Sequence, residues 1–285
     1  MKRIIFDCDN TMGIKDCDVD DGLALLYLLG CPDAEVIAIT TTYGNNKLEA
    51  VHENTLQMLK EIGKEDIPVV KGGAQAGCYK SEASSYLVKM VNKYPGEISI
   101  LATGSLTNLQ GAYDEDSCFF DKVKEIVLMG GITDPLVFKK REMKELNFSC
   151  DPKATHTVLT KGKNVAVITG NNCLKVIFTK EEYQNKLGCG NKKGKYILDK
   201  TNDWFHYNEA GYGIEGFYNW DVTAAVYLMR KEFFQDKPMR LNLSIEDLKS
   251  GYLRKSDDGD TRCNLPEIDN ADAWKEHIYQ CWLGK

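Results

Sequence analysis

The feature that most constrains the fold is an alternation between short apolar runs and longer segments of helical period. The runs are rich in β-branched residues and occupy residues 4–6, 36–41, 69–70, 98–101, 126–129 and 165–168. Between them, residues 20–29, 47–62, 84–91 and 152–160 place their apolar side chains on one helical face. This alternation is typical of α/β proteins, so we predict a mostly parallel central sheet flanked by helices.

The pattern loosens after residue 180. Residues 221–231 and 274–282 are predicted helices, whereas residues 188–219 are rich in aromatic side chains and glycine. No Pro/Ser-rich linker, repeat or low-complexity tract divides the chain. We therefore predict a single α/β domain over residues 1–285, with a variable aromatic loop region at about 188–219 that belongs to the functional site.

The composition argues against several classes of function. A net charge of -6 lacks the cationic excess with which proteins bind nucleic acid. No apolar run approaches the roughly 20 residues of a membrane span. The ten cysteines are scattered without a Cys-x-x-Cys pair, and no secretory signal follows Met1. We expect a cytoplasmic protein with reduced thiols and a small-molecule substrate, without a nucleic acid or membrane partner.

Polar residues follow the ends of the predicted strands. Asp7 and Asp9 follow the first strand, Asn45 follows the second, Thr103 follows the fourth and Gly131 follows the fifth. Ligands of open parallel sheets bind outside the carboxyl ends of the strands. We therefore expect these positions to converge on one rim.

A dense group of acids follows the first strand. Six carboxylates fall within fifteen residues: Asp7, Asp9, Asp16, Asp18, Asp20 and Asp21. Gathered carboxylates repel one another, and a hard divalent cation such as Ca²⁺ would neutralise them. A second interpretation makes Asp20 and Asp21 the N-cap and first-turn acid of a helix. We interpret Asp16 and Asp18 as solvated loop acids.

The residues after the first strand match a short phosphatase motif. Asp7-Cys8-Asp9-Asn10-Thr11 fits the Asp-x-Asp-x-Thr pattern of haloacid dehalogenase superfamily phosphatases. In that pattern Asp7 would be the nucleophile that accepts the phosphoryl group, and Asp9 would be the acid/base. This interpretation leaves the later motifs of the chain unexplained.

A different resemblance takes in residues 4 to about 230. Its ordered blocks are Asp7-Cys8-Asp9 with Val19-Asp20-Asp21-Gly22, Thr42-Tyr43-Gly44-Asn45, Ala102-Thr103-Gly104-Ser105, Met129-Gly130-Gly131, Glu145-Leu146-Asn147 and Trp220-Asp221. With these blocks the sequence resembles the calcium-dependent nucleoside hydrolases of the inosine-uridine type. The resemblance implies a Rossmann-like fold, hydrolysis of ribonucleosides to free base and ribose, and a role in nucleoside salvage.

The resemblance also implies a role for each matched residue. The ligands of Ca²⁺ would be Asp9, Asp21, Asp221 and the backbone carbonyl of Thr103. The contacts to ribose would come from Asp20, Asn45, Glu145 and Asn147. Asp9 would act as the base that activates a calcium-bound water, while the carboxylates stabilise positive charge that develops on the sugar.

The residue before Asp221 bears on the leaving group. Many family members have a histidine there that is implicated in protonating the departing base, whereas this sequence has Trp220, as in the purine-preferring subgroup. The resemblance therefore implies a purine-leaning enzyme in which the indole stacks on the base; core packing is the alternative. We expect one or two aromatic residues of the 188–219 region to face Trp220, and His206 is the one histidine there that could contact the leaving group.

The sequence departs from the family pattern in two segments. Residues 10–19 replace a shorter Pro-Gly segment, and Lys139, Lys140 and Arg141 stand where the family has an asparagine near the ribose 5'-hydroxyl. The basic run has two interpretations, an anion site and a solvated charge run. A nucleoside-binding protein without turnover is therefore a third hypothesis. The resemblance further implies a homodimer or homotetramer.

Overall fold

The strands of this computed structural model begin and end close to the sequence predictions in the first half of the chain. The structure describes residues 1–188 and 190–284. The strands are β1 Lys2–Cys8, β2 Ala34–Thr41, β3 Val69–Lys71, β4 Ile98–Ala102, β5 Glu125–Met129, β6 Leu136–Val137, β7 Glu142–Met143, β8 Val165–Ile168, β9 Phe234–Gln235, β10 Pro238–Leu241, β11 Thr261–Asn264 and β12 Glu267–Ile268.

Helices follow most strands of the first half and dominate the second. They are α1 Asp20–Gly30, α2 Leu48–Glu61, α3 Glu82–Lys93, α4 Thr107–Glu115, α5 Phe119–Lys122, α6 Asn147–Cys150, α7 Pro152–Lys161, α8 Gly170–Cys173, α9 Lys180–Leu187, α10 Lys192–Tyr212, α11 Trp220–Met229, α12 Ile245–Leu248 and α13 Ala271–Leu283. Every helix and strand predicted from the sequence is present, with ends that agree within three residues.

Within the described residues, eight strands form one sheet in the order β10-β11-β8-β5-β4-β1-β2-β3. All neighbours pair in parallel except β10 and β11, which are antiparallel. The order confirms the predicted α/β fold with a mostly parallel central sheet. The chain moves outward in one direction through β2 and β3 and in the other through β4, β5 and β8, so the switch point lies between β1 and β4.

The sheet is buried on both faces. Successive residues of β1 show this, because Ile4 and Phe6 pack into one apolar core and Ile5 packs into a second. Such two-sided burial explains why the parallel strands are continuous apolar runs rather than alternating patterns. No described helix is both long and apolar enough to cross a membrane.

The expectation of a loop at 188–219 is wrong over most of that range. Residues Lys192–Tyr212 form the long helix α10, which begins after Asn191 and ends at Gly213 in the left-handed conformation. The Asn191 side chain accepts the Lys193 N–H, and Gly213 supplies the positive φ that ends many helices. Cys189, within the same range, and Lys285 lie outside the described residues.

Candidate functional site

A cavity of about 340 Å³ lies beyond the carboxyl ends of the strands that flank the switch point. Its lining includes Asp20, Asn45, Thr103 and Gly131, each contributed by a segment that follows a different strand. The predicted convergence on one rim therefore holds for the residues after β2, β4 and β5, whereas Asp7 and Asp9, at the end of β1, do not line the cavity. A cavity of this size falls within the range for sites that enclose a small molecule.

Four buried carboxyl groups lie together at this site and form what we call the acidic floor: Asp9, Asp20, Asp21 and Asp221. Each is at most 3% exposed. Carboxylate oxygens of Asp20, Asp21 and Asp221 lie within 4.8 Å of one another, a spacing suited to a shared metal ion. Asp20 and Asp221 line the cavity. Asp9 does not line the cavity itself, but it is close enough to Asp21 for its charge to raise the pKa of that carboxyl group.

Two helices begin at the acidic floor. Asp20 and Asp21 are the first residues of α1, and Asp221 is the second residue of α11. Asp20 Oδ2 accepts the backbone N–H of Asp221 at 3.0 Å, so it joins the two helix starts instead of capping its own helix. The positive ends of both helix dipoles therefore point towards the floor and favour negative charge there.

The protein alone does not fully neutralise these acids. Burial raises the pKa of Asp9 from 3.8 to about 7, against hydrogen bonds from the Asn45 backbone and Asp21. Burial also raises the pKa of Asp20, Asp21 and Asp221, and their mutual repulsion adds to the effect at Asp21 and Asp221. Asp9 Oδ1 is buried without a hydrogen bond partner among the described residues. This set of oxygen donors fits a hard divalent cation.

Asp9 and Asp21 are oriented by the loops that follow the neighbouring strands. The backbone N–H of Asn45 donates to Asp9 Oδ2, and the Thr103 hydroxyl donates to Asp21 Oδ1 at 2.7 Å. Gly44 permits the close approach of its loop, because a Cβ there would overlap Asp9 Oδ2. The resemblance assigned the Thr103 carbonyl to the cation; the hydroxyl has this additional contact, which the sequence did not reveal.

The segment of residues 10–19 contributes a carboxyl group that we had interpreted as solvated. Asp18 is half-buried and lines the cavity, and its Oδ1 accepts the backbone N–H of Val19 at 2.7 Å. Burial raises its pKa, and the adjacent Asp20 raises it further. The Thr11 hydroxyl holds the segment by donating to the Asp18 carbonyl at 2.8 Å. The interpretation as a solvated acid is therefore wrong for Asp18, whereas the Asp16 side chain is exposed at the cavity edge.

Glu145 and Asn147 also line the cavity and are both largely buried. Glu145 accepts three backbone N–H groups, from Gly131 at 3.0 Å, Phe148 at 2.8 Å and Ser149 at 2.9 Å. Asn147 Nδ2 donates to the carbonyl of Met129 at 3.1 Å. Both side chains thus fix the end of β5 and the start of α6 while facing the cavity.

A second group of lining residues, which we call the aromatic wall, consists of Trp204, Tyr207, Tyr212 and Trp220. Trp204 and Tyr207 lie on one face of α10 and stack with ring centroids 4.9 Å apart and an interplanar angle of 9°. Trp220 begins α11 and is 8% exposed. Three aromatic residues of the 188–219 region line the cavity, one more than we expected, and Phe205 and Phe217 pack in the core.

Of the interpretations of the basic residues, a leaving-group contact from His206 and an anion site at residues 139–141 are not supported, whereas the exposure of Lys139, Lys140 and Arg141 agrees with a solvated charge run. His206 is exposed, is not part of the cavity lining and contacts Lys180 Nζ at 3.2 Å. Lys140 donates to two carbonyls at the end of α10, and the guanidinium of Arg141 lies 4.0 Å from the ring centroid of Tyr212. The basic run 139–141 therefore stabilises the end of a helix, and it does not line the cavity.

Asp7 is sealed beneath the site. It is fully buried and is not part of the cavity lining. Its Oδ1 accepts hydrogen bonds from the Thr40 hydroxyl and from Asn108 Nδ2. Burial raises its pKa to about 7 in spite of these bonds. A phosphatase nucleophile must reach its substrate, so this placement argues against the phosphatase interpretation of the first strand.

Comparison with known proteins gives one consistent family. The family model described as inosine-uridine preferring nucleoside hydrolase matches residues 4–275. Uridine nucleosidase 1 of Arabidopsis thaliana is 28% identical over 265 residues, which are 83% of this chain and 79% of the relative.

Solved structures with the same fold cover almost the whole chain. A plant nucleoside hydrolase superposes with a TM-score of 0.86 at 24% identity, covering 100% of this chain and 99% of its own. A purine-preferring ribonucleoside hydrolase from Gardnerella vaginalis also gives 0.86, at 23% identity, covering 99% of this chain and 98% of its own. At these identities the likeness establishes the fold.

Proposed function

Because this chain belongs to the family of inosine-uridine preferring nucleoside hydrolases, an enzyme family that cleaves the N-glycosidic bond of ribonucleosides, we propose that it acts on purine ribonucleosides in preference to pyrimidine ones and uses Ca²⁺. The observation that carries this proposal is the composition of the cavity lining. Carboxyl groups and aromatic rings line the same cavity. A nucleoside has two matching parts, a hydroxyl-rich sugar and a flat base.

The acidic floor would hold the cation. Asp9, Asp21, Asp221 and the carbonyl of Thr103 would be its ligands, and Asp9 Oδ1, which has no partner among the described residues, supports this assignment. Asp20 is close enough to Asp21 and Asp221 to take part as well. When bound, Ca²⁺ supplies charge neutralisation, a site for the ribose diol and a lower pKa for a water molecule.

The side chains around the cation would bind and orient the ribose. Asp20, Asn45, Glu145 and Asn147 present oxygen and nitrogen atoms along two sides of the cavity. The Glu145 carboxylate is held by three backbone N–H groups, so it keeps a fixed orientation towards the sugar. Buried carboxylates around the ring favour the positive charge that develops at C1' as the bond to the base breaks.

Asp9 would take a proton from the attacking water. The new bond joins the water oxygen to C1', the bond from C1' to the base nitrogen breaks, and the base leaves with the bonding electron pair and gains a proton, so one proton is released and one is taken up. Burial raises the pKa of Asp9 in the cation-free protein, and a bound cation would favour its carboxylate form, which is the form that accepts a proton.

Trp220 and the stacked pair Trp204 and Tyr207 would hold the base. Stacking of a base on an aromatic side chain contributes about 1–3 kcal/mol, and a bicyclic purine offers the larger face. The name of the Arabidopsis relative, uridine nucleosidase, points to a pyrimidine instead. Base preference is therefore the part of the proposal that needs a direct measurement.

The test is release of reducing sugar from inosine, adenosine, guanosine, uridine and cytidine, with Ca²⁺ and after chelation. Calcium-dependent release mainly from the purine nucleosides is expected. Release mainly from uridine and cytidine would overturn the purine preference, and full activity after chelation would overturn the role of the cation. Binding of ribose without any release would favour the hypothesis of a binding protein.

Two further parts of the proposal concern the setting of the enzyme. The described cysteines are all free thiols, which supports a reducing compartment such as the cytoplasm. The family resemblance implies a homodimer or homotetramer, and the measurement that checks it is light scattering coupled to size-exclusion chromatography.

A further inference from the structure

A second cluster of metal-ligating side chains lies where α1 ends against α13. Cys31, which follows α1, faces His277 and Cys281 of α13, and their ligand atoms all lie within 4.8 Å of one another. Both cysteines are at most 5% exposed. α1 has 11 residues, so a rise of about 1.5 Å per residue puts this cluster roughly 16 Å from Asp20 and the cavity.

We propose that Cys31, His277 and Cys281 form a zinc site, separate from the nucleoside cavity, that joins the first helix to the last. The spacing of the ligand atoms carries this proposal. Cys31 Sγ and Cys281 Sγ are 3.7 Å apart, and Cys281 Sγ is 3.6 Å from His277 Nε2. Tetrahedral zinc with Zn–S of about 2.3 Å and Zn–N of about 2.0–2.1 Å requires separations of about 3.8 Å and 3.6 Å.

The helices hold these three side chains in place without a metal. His277 and Cys281 are four residues apart, which puts them on the same face of α13. Gly30 allows the end of α1 to touch α13, because a Cβ there would overlap the carbonyl oxygen of Cys281. The Trp282 indole N–H donates to the carbonyl of Leu23 at 3.0 Å and fixes the two helices along their length. The site is therefore built into a rigid contact.

The surroundings favour one thiolate in this pair, and thiolate is the form that binds zinc. A hydrogen bond with Cys281 lowers the pKa of Cys31 to about 5, against burial, with further help from His277, Tyr27 and Arg230, whereas the same bond raises the pKa of Cys281. Zinc binding would release the remaining thiol proton, and two thiolates would balance the charge of Zn²⁺. The Tyr27 hydroxyl lies 3.1 Å from His277 Nε2, beside the cluster. His277 is half-buried, so the cluster has a route to solvent.

The test is the zinc content of the full chain, purified in zinc and dialysed against excess Ca²⁺ so that the acidic floor is occupied. We expect about one zinc ion per chain, and a cobalt-substituted protein with the charge-transfer band of a dithiolate site. Cys31→Ser and Cys281→Ser should each lower the zinc content to about a tenth or less. Cys263→Ser, which changes a buried thiol in β11, is the matched control and should keep its zinc.

Release of zinc from the wild-type chain by a thiol-specific mercurial gives a second measurement that does not depend on the variants folding. We expect release of one zinc ion as two thiols react. Zinc content that persists in Cys31→Ser would overturn the proposal. So would a wild-type chain without zinc, or one in which mass spectrometry finds a disulfide between Cys31 and Cys281.

Discussion

The Thr103 hydroxyl donates a 2.7 Å hydrogen bond to Asp21 Oδ1, although the two residues are 82 positions apart in the sequence. Thr103 follows β4, and Asp21 lies in the first turn of the helix that comes after β1. β1 and β4 are neighbours at the switch point of the sheet, so the two loops meet there. The proposed ligand of Ca²⁺ at Thr103 is the backbone carbonyl. The hydroxyl of the same residue is not a proposed ligand, and its bond orients the Asp21 carboxylate.

This bond leads to a prediction about affinity for the cation. Thr103→Val removes the hydroxyl and keeps the backbone carbonyl, so the Ca²⁺ concentration for half-maximal activity should rise about 10-fold or more. Thr107→Val removes a comparable 2.9 Å bond to Asp151 and is the matched control. A calcium titration of activity checks both variants. Equal calcium requirements in Thr103→Val and the wild type would contradict an orienting role.

Asp9 and Asp7 are two residues apart and both fully buried, but they have different neighbours. Asp9→Asn removes the proposed base, so turnover should fall about 10²- to 10⁴-fold. Asp7→Asn keeps an acceptor oxygen for Thr40 and Asn108, and its effect on turnover should be much smaller. The rates of ribose release from the two variants, each corrected for folded protein, make the comparison. A larger loss in Asp7→Asn than in Asp9→Asn would contradict the role of Asp9 as the base.

Trp220→Leu removes one aromatic face and keeps an apolar side chain at the start of α11. The ratio of kcat/KM for inosine to that for uridine should fall about 10-fold, because stacking is stronger for the purine. The ratio is its own control, since any loss of folded enzyme affects both substrates equally. Tyr207→Leu tests the facing side of the aromatic wall in the same way. An unchanged ratio in both variants would mean that these rings only pack.

Glu125 predicts a dependence of stability on pH. Burial alone would raise the pKa of Glu125, but Lys2 and Lys231 lie 2.8 Å and 2.9 Å from its two oxygens, and the net effect is a lowered pKa. A lowered folded pKa stabilises the protein fully above the unfolded value of 4.5, and this stabilisation is lost as the pH falls through the folded value.

The variant that tests this is Glu125→Gln, which should lose about 1–2 kcal/mol of unfolding free energy at neutral pH. The difference from wild type should shrink as the pH falls below 4.5 and through the lowered folded pKa of Glu125. Denaturant unfolding at neutral pH and over a series of acidic pH values measures it. A difference that stays the same across the series would show that the ion pairs do not contribute.

The first half of the fold was predictable because its signals are local. The buried parallel strands are continuous apolar runs, and α7 begins with an Asp151 N-cap and Pro152 in its first turn. The helix α10 was not predictable from the sequence, because Gly194, Gly211 and a dense set of aromatic residues suggested a loop. Its buried face, including Trp204 and Phe205, packs against neighbouring elements, and this tertiary packing outweighs the cost of the glycines.

The site residues were predictable where the order of motifs along the chain matches the family. They were not predictable where the sequence departs from the family pattern. Asp20, Asn45 and Thr103 reach the cavity from the segments after strand ends, and Asp221 reaches it as the resemblance implied. Asp18 was missed because a loop acid in a sequence has no periodicity that tells a buried carboxyl group from a solvated one. The position of Asp18 depends on how residues 10–19 fold over the acidic floor. Contacts such as the hydrogen bond from the Thr11 hydroxyl to the Asp18 carbonyl set that fold.

The contact between Asp20 and Asp221 spans 201 residues and has a consequence for biosynthesis. A ribosome that adds about 5–20 residues per second needs roughly 10–40 s to travel from one to the other. During that interval the acids of the N-terminal segment have no partner from α11, and the cavity lacks Trp220. A nascent chain therefore carries most of its sheet, yet has no site for a nucleoside, until about three quarters of the polypeptide has left the ribosome.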